Sequence, residues 1–342
     1  MKIRRAGFLV FVVAMANVLA GVHMAAPVAA APVSAPKTCT PRLLVLSAMP
    51  LEIDPLLAHA QIDQGHVELN NRYFVLGKLE GNDVIMGLTG IGPENAQTTT
   101  TDAFNQFRCG SKSEISGVVF SGTSGGDYIG DVMVPSRWTD NGTTFAQSDP
   151  GMLAVAKQAV AGGVKLEQST PTGDPACTCA ETSGAVTPIT VEHVPKVELG
   201  GTGLTTDPFG GRTLPCVPAG SDVFGCVPCR ELDQSDAAQA AAFATSVVPF
   251  LELSFFTGYA NATTPAGTYV SEDEETDIVA QVAASEGVPF IGFRAASDGG
   301  GDPLDLPGFP AEFFVYRQLA ADNAAATAMA FLHEWAAEKG VR

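Results

Sequence analysis

Apolar runs of strand length alternate with glycine-containing turns and helix-length segments over residues 42–140. The run at 42–47 predicts a buried strand, and the segment 51–59 predicts a helix with a proline in its first turn. The same pattern predicts strands at 73–76, 84–88 and 117–120 and a helix at 94–107. This repeated order of strand, turn and helix predicts an α/β sandwich with ligand chemistry at the strand ends.

The pattern changes at about residue 163. From there to about 234 the chain is rich in Gly, Pro and Thr and holds five of the seven cysteines, which predicts an insertion stapled by disulfides. Beyond it, the periodicity predicts helices at 237–246 and 275–285, a buried strand at 288–294 and a long amphipathic helix at 311–339. We therefore expect one domain over 39–342 that carries the insertion at about 163–234.

The amino terminus has the three parts of a secretory signal peptide. Three basic residues precede an apolar run at 6–22, and small residues follow at 25–31. We predict a signal peptide over 1–30, cleaved after Ala30, and a tether rich in Pro and Ala over 31–38. The apolar run is at the lower edge of the length that spans a bilayer, so an uncleaved anchor stays an alternative. The predicted location is periplasmic or secreted, with no membrane contact after cleavage.

The seven cysteines all lie beyond the predicted signal peptide. An oxidising compartment favours disulfides, and the odd number leaves one thiol free or paired between chains. The close pairs Cys177 with Cys179 and Cys226 with Cys229 offer an alternative, a tetrahedral zinc site. Sequence spacing leaves the connectivity open.

The chain is strongly acidic, with 37 Asp and Glu against 19 Lys and Arg and a formal net charge of -18. This charge repels phosphate backbones and anionic lipid headgroups, so we expect no nucleic acid as a partner. An acidic surface that serves only solubility is the simpler explanation of the same charge. The histidines lack the HExxH spacing of zinc hydrolases, so no catalytic metal is expected.

Three separated stretches carry charged residues next to predicted strand ends. Glu52 follows the first strand, a run of acids at 272–277 begins a predicted helix, and Arg294 and Asp298 bound the turn after the strand at 288–294. An open parallel sheet gathers the loops at its carboxyl ends into one crevice, so we expect these residues to converge. Each also has a simpler explanation, because acids stabilise the first turn of a helix and Asp is common in turns.

Five motifs also occur in a fixed order. They are Ser47-Ala48-Met49-Pro50-Leu51-Glu52, Thr89-Gly90-Ile91-Gly92, Ser121-Gly122-Thr123-Ser124-Gly125-Gly126 followed by Gly130-Asp131-Val132-Met133-Val134, Asp273-Glu274-Glu275 ahead of Val288-Pro289-Phe290, and Arg294-Ala295-Ala296-Ser297-Asp298. In this order they resemble the nucleoside phosphorylase and nucleosidase superfamily, most closely the methylthioadenosine/S-adenosylhomocysteine nucleosidases and their exported relatives. The resemblance implies a phosphorylase-like three-layer sandwich, with a central mixed, twisted sheet flanked by helices.

The resemblance also implies residue roles in cleaving the N-glycosidic bond of a purine nucleoside. Asp298 is the general acid that protonates the base, Glu275 binds the ribose hydroxyls, and Glu52 activates the attacking water. The implied substrate-binding residues are Arg294 near the water, Ser297 beside Asp298, Thr89 and Gly90 on the nucleophile or ribose side, and Glu274, which stands where the nucleosidases carry a Met.

The sequence leaves the nucleophile and the activity itself open. Glu52 repels an incoming phosphate and so favours hydrolysis, whereas Arg294 and the glycine turns could hold the anion of a phosphorylase. No cofactor is expected, and inorganic phosphate is a co-substrate only for a phosphorylase. The resemblance implies a homo-oligomer, either a dimer or trimers built into a hexamer. A non-catalytic nucleoside-binding or storage protein of the same fold is the rival function.

Overall fold

The computed structural model describes residues 39–63, 65–171, 187–214, 223, 225 and 264–340. Several predicted features lie outside these residues: the signal peptide at 1–30, the tether at 31–38, the helix at 237–246 and the five cysteines between 177 and 229. They stay predictions.

Four parallel strands form the centre of the main sheet. β1 (Arg42–Ser47) pairs with β5 (Asn82–Leu88) on one edge and with β8 (Ile115–Tyr128) on the other, and β8 pairs with β15 (Phe290–Gly300). β4 (Arg72–Leu79) adds to β5 in the antiparallel direction, so the sheet is mixed. The central strands are near-continuous apolar runs because both of their faces are covered.

Shorter strands extend this sheet. They are β2 (Gln61–Ile62), β3 (Val67–Leu69), β9 (Val132–Val134), β10 (Arg137–Thr139), β11 (Ala146–Gln147), β12 (Val197–Leu199), β13 (Thr202–Thr205) and β14 (Ser271–Asp273), while β6 (Arg108–Cys109) and β7 (Lys112–Ser113) pair separately. β12 and β13 fall in the region where the sequence pattern predicted no regular structure. β13 lies inside the sheet, between β10 and β14. Strands of three or four residues are too short for periodicity to reveal them.

Helices cover both faces of the sheet in the described part of the chain. They are α1 (Pro50–Leu57), α2 (Pro93–Gln106), α3 (Pro150–Gly162), α4 (Thr276–Ser285) and α5 (Ala311–Glu338). Residues that alternate along β1 pack in opposite directions: Leu44 and Leu46 join a core with α2 and α4, whereas Leu43 and Val45 join one with α1, α3 and α5. The predicted α/β fold with a mixed sheet flanked by helices is confirmed.

The strand predicted at 117–120 extends over Ile115–Tyr128 as β8 and includes the glycine motif that was expected to end it. Two further segment predictions need correction. The acidic stretch at 271–277 was expected to begin a helix, but only its last two residues are helical. Ser271–Asp273 forms β14, and Glu275 is the residue just before α4. The strand predicted at 288–294 begins at Phe290 and continues to Gly300. In both cases strand pairing explains the difference. β8 is long enough to pair with β14 and with the last residues of β15.

Cys39 and Cys109 are joined by a disulfide, with Cα atoms 5.7 Å apart and a sequence separation of 70. The bond ties the start of β1 to the end of α2 through the hairpin of β6 and β7. Within the described residues, no helix is both long enough and apolar enough to cross a bilayer.

Candidate active site

The sheet topology brings three chain segments to one edge. β1, β8 and β15 are parallel, so their carboxyl ends lie on the same side of the sheet. β8 extends past the end of β1, and beyond that point Gly125 of β8 pairs with Glu272 of β14 on one edge and with Asp298 of β15 on the other. The turn after β1, the acidic segment and the end of β15 therefore surround the last part of β8.

A cavity of about 290 Å³ opens at this edge. It is lined by three acids that the sequence singled out for catalysis, Glu52, Glu275 and Asp298. Other polar or charged side chains of the lining include Glu272, Glu274, Arg294 and Ser297, and an aromatic wall is formed by Phe209, Phe309, Phe313 and Phe314. This volume suits a small ligand, and an apolar lining with a few convergent polar groups is typical of a ligand site.

Glu52 is almost completely buried and lines the cavity. It lies in the first turn of α1, and its Oε2 accepts hydrogen bonds from the backbone N–H groups of Ala48 at 2.8 Å and Met49 at 2.9 Å. Its Oε1 accepts from the N–H and the hydroxyl of Thr123, at 2.7 Å and 3.0 Å. The turn after β1 and the middle of β8 thus fix one carboxylate.

Arg294 is the hub of the charged cluster. Its side chain is only 1% exposed and stacks on the ring of Phe120, with the guanidinium carbon 4.2 Å from the ring centre. Nη2 donates to Glu275 Oε2 at 3.1 Å, Nε lies 2.9 Å from Asp273 Oδ2, and Nη1 lies 3.8 Å from Glu52 Oε1. Burial opposes the guanidinium charge, but the three acids outweigh it and raise the pKa of Arg294. The arginine is therefore fully engaged by protein carboxylates.

Glu275 joins the acidic segment to the glycine turn after β5. Its Oε1 accepts a hydrogen bond from the N–H of Gly92 at 2.8 Å, and its Oε2 contacts Arg294. Burial raises the pKa of Glu275 against the attraction of Arg294, and repulsion from Asp273 and Glu52 adds to the increase. A carboxylate destabilised in this way gains most when positive charge develops beside it.

Asp298 has the electrostatics of a proton donor. Its Oδ1 lies 2.9 Å from the hydroxyl of Ser297, and that hydroxyl is also 3.2 Å from the carbonyl oxygen of Ser124. The pKa of Asp298 is raised to about 6. Burial is the largest cause, the Ser297 hydrogen bond opposes it, and the charges of Glu312 and Glu272 add to the increase. The group can hold a proton close to neutral pH.

Thr89 and Gly90, which were expected on the nucleophile or ribose side, are not among the residues that line the cavity. The Thr89 hydroxyl lies 2.8 Å from the carbonyl oxygen of Gly90 and 3.3 Å from that of Ser47, so it bonds to backbone. Gly90 has a positive φ of 78°, which the turn requires. This turn reaches the site through Ile91, which lines the cavity, and through the N–H of Gly92.

Asp273 and Thr123 are site residues that the sequence analysis missed. Asp273 Oδ1 accepts hydrogen bonds from the Thr205 hydroxyl at 2.6 Å and from the N–H of Thr276 at 3.2 Å, and its Oδ2 contacts the Thr276 hydroxyl and Arg294. The sequence offered only a run of acids, and nothing in it distinguished the one that holds the arginine. Thr123 lies within a recognised glycine motif, so that motif was the available signal.

The family comparison bears directly on this arrangement. A family model described as the phosphorylase superfamily matches residues 42–209, which include Glu52 and the motif around Gly122. The chain belongs to the phosphorylase superfamily. The match ends before Glu275 and Asp298, so their assignment rests on the shared cavity.

Solved structures of other proteins have the same fold as this phosphorylase-superfamily chain. The 5'-methylthioadenosine/S-adenosylhomocysteine nucleosidase of Neisseria meningitidis, solved with methylthio-immucillin-A, has a TM-score of 0.51 at 16% identity, covering 86% of this chain and 99% of its own. The futalosine hydrolase of Helicobacter pylori has a TM-score of 0.51 at 17% identity, covering 86% and 97%. At 16% and 17% sequence identity, this structural similarity shows that the chain shares their fold.

Two mycobacterial proteins are more similar in sequence to this superfamily member. Uncharacterized protein Rv2293c of Mycobacterium tuberculosis is 41% identical over 198 residues, which are 56% of this chain and 78% of that protein. Uncharacterized protein Rv2292c of the same organism is 59% identical over 64 residues, 19% of this chain and 86% of that protein.

Membership of the superfamily supports an enzyme that cleaves an N-glycosidic bond.

The acidic cluster of this phosphorylase-superfamily chain is built around a cation of the protein itself, Arg294. No group of three or more His, Cys, Asp or Glu side chains in the described part of the chain is arranged to hold a metal ion. Arg294 occupies the centre of the Glu52, Asp273 and Glu275 cluster, the position that a cation would need.

Gly122 of β8 offers a direct test of how closely this site is packed. A Cβ at this position would lie 2.6 Å from both Glu52 Oε1 and Arg294 Nη1, so we expect Gly122→Ala to lower the free energy of unfolding by about 1–3 kcal/mol. Equilibrium denaturation measures the change. The matched control is Gly162→Ala at the end of α3, where an added Cβ meets nothing within 4 Å. Equal stabilities of the two variants would contradict the described contacts.

Proposed function

We propose that this protein hydrolyses the N-glycosidic bond of a purine nucleoside. The observation that carries the proposal is the shared cavity, which three carboxyl groups from distant parts of the sequence line together. Their environments differ: Glu52 is saturated with hydrogen-bond donors, Glu275 lies against Arg294, and Asp298 has a pKa near 6. Different environments allow three acids to take three different roles.

In the proposed reaction, Asp298 donates its proton to the purine, at N7, as the bond from the sugar carbon to the base breaks. The bonding electrons leave with the base, and positive charge develops on the ribosyl ring. Glu275 has a hydrogen-bond partner on each oxygen and spare lone pairs, so it accepts hydrogen bonds from the ribose hydroxyls and favours the cationic sugar. Glu274 lines the same cavity and adds negative charge there.

Glu52 completes the reaction by taking a proton from water as the water oxygen bonds to the sugar carbon. Three of its four hydrogen bonds come from backbone N–H groups, which hold the carboxylate in place. The fourth, from the Thr123 hydroxyl at 3.0 Å, is the longest, and rotation of that hydroxyl exposes Oε1 to the water. Arg294 lies beside the same oxygen at 3.8 Å and helps to position the water.

Water is favoured over phosphate as the nucleophile because of the charges at the site. Among the described residues that line the cavity, Arg294 is the only cation, and it is engaged by Asp273 and Glu275. A phosphate would therefore meet carboxylates without a cation to balance them. We propose no cofactor.

Incubation of the full chain with a panel of purine nucleosides, with and without inorganic phosphate, tests the proposal. We expect free base and free ribose in the absence of phosphate, measured by chromatography, and no release by a Glu52→Gln variant beyond about 1% of the original rate. Release that requires phosphate and yields ribose 1-phosphate would identify a phosphorylase. Saturable binding without release would identify a non-catalytic nucleoside-binding protein.

A further inference from the structure

Glu272, Gly125 and Asp298 form a row across three adjacent strands. Glu272 of β14 is the register partner of Gly125 in β8, and Asp298 of β15 is the register partner of the same glycine on the opposite edge. Neighbouring strands lie about 4.8 Å apart, so the backbones of the two acids are about 10 Å apart with Gly125 between them. Two carboxyl groups thus flank a residue that has no side chain.

Both acids line the same cavity, together with Gly125, and the charge of Glu272 acts on Asp298 and raises its pKa. A Cβ at Gly125 would lie 3.0 Å from Asp298 Oδ2, so a larger residue here would crowd that carboxyl group. That contact also shows that Oδ2 is the Asp298 oxygen above the glycine, while Oδ1 contacts Ser297. No side chain of β8 therefore stands between the two acids, which leaves room for a planar ring.

Glu272 has no task in the reaction described above. Its carboxylate is half-buried and makes no hydrogen bond or ion pair with another described residue. Burial raises the pKa of Glu272, and the charge of Asp273 raises it further, so ionisation here has a cost. A carboxylate that faces a cavity at such a cost is compensated when a ligand supplies hydrogen-bond donors.

We infer that Glu272 recognises the purine base and makes the site selective for 6-oxopurine nucleosides such as guanosine and inosine. The purine lies over Gly125, with its imidazole edge at Asp298 and its six-membered ring toward Glu272. This inference rests on the proposed function. Asp298 supplies the proton in that reaction, which leaves Glu272 as the ionised acceptor.

The selectivity follows from the donors on the base. A 6-oxopurine presents an N–H at ring position 1, and guanine adds an amino group beside it, so both pair with an ionised carboxylate. Adenine presents an unprotonated ring nitrogen at that position, whose lone pair faces the carboxylate lone pairs. A site built around a buried acceptor rejects a ligand that lacks the matching donor, because the acceptor is left unpaired.

The test compares kcat/KM for guanosine, inosine and adenosine. We expect guanosine and inosine to exceed adenosine by about 10- to 100-fold, which corresponds to one charged hydrogen bond. Glu272→Gln offers an amide that can donate to the ring nitrogen of adenine and accept from its amino group, so the ratio should fall by about tenfold or more. The matched control is Glu286→Gln, the same change at an exposed position after α4, which should leave the ratio unchanged.

Contrary outcomes separate this inference from the function on which it rests. A preference for adenosine, or a Glu272→Gln variant that lowers kcat/KM equally for all three nucleosides, would overturn the role of Glu272 alone. Absence of base release from every nucleoside would overturn the proposed function. In that case calorimetric binding of guanosine and adenosine still decides the inference, since equal affinities in the original protein would exclude base recognition by Glu272.

Discussion

Asp298→Asn is expected to lower kcat by about 10²-fold or more for nucleoside cleavage. The amide has nearly the same shape as the carboxyl and can still contact Ser297, which lies 2.9 Å from Oδ1 in the original protein. It has no acidic proton to give to the departing base. The loss should therefore appear in kcat far more than in KM, and initial rates of base release measure it.

The pH dependence of the same variant provides an independent readout. The pKa of Asp298 is raised to about 6, mainly by burial, so the proton-donating form is present below that pH and is lost above it. The original protein should lose activity as pH rises through about 6, and the Asn variant should lack that decline. The matched control, Asp127→Asn at an exposed position of β8, should retain both the rate and the profile.

The raised pKa also fixes the sign of the stability change. A carboxyl with a higher pKa in the folded state than in the unfolded state stabilises the fold at low pH, and this contribution is lost as pH rises through the folded pKa. At neutral pH the ionised Asp298 is thus unfavourable, and Asn removes that charge. We expect thermal unfolding of the variant at or slightly above the original temperature. A variant that is both unstable and inactive would indicate a structural role for Asp298.

The sequence was most informative where a strand is buried on both faces. β1 has the predicted bounds because Leu43, Leu44, Val45 and Leu46 form an unbroken apolar run. β14 was missed because its residues, Ser271–Asp273, are mostly acidic and have low strand propensity. It is a strand because the sheet offers it partners on both edges, β13 and β8, which is tertiary information.

The residues of the candidate site were likewise predicted only in part from the sequence. Glu52, Glu275 and Asp298 were expected to converge because they follow elements of a parallel sheet, and they line one cavity. Their catalytic roles stay predictions. The role of Asp273 in holding Arg294 could not be predicted, since it depends on Thr205 in a segment without a periodic pattern. The position of Glu272 likewise depends on the register of β14 against β8.

Arg294→Met should produce the largest loss of stability of any variant considered. The substitution keeps an unbranched side chain but removes the charge that faces Asp273, Glu275 and Glu52, all of which are buried. Removing one partner of a buried ion pair leaves an uncompensated charge, and the cost is about 3–5 kcal/mol in the free energy of unfolding. Equilibrium denaturation in urea at neutral pH measures it.

The matched control is Arg108→Met, because Arg108 pairs with Glu286 at 3.3 Å on the surface. Exposed ion pairs contribute only about 0–1 kcal/mol, so this variant should unfold almost like the original protein. The deficit of Arg294→Met should also shrink as pH falls, because burial raises the pKa of Glu275 and its protonation removes one of the charges that Arg294 balances. Similar stabilities for the two variants, or a deficit that does not change with pH, would mean that the acidic cluster does not depend on Arg294 for its charge balance.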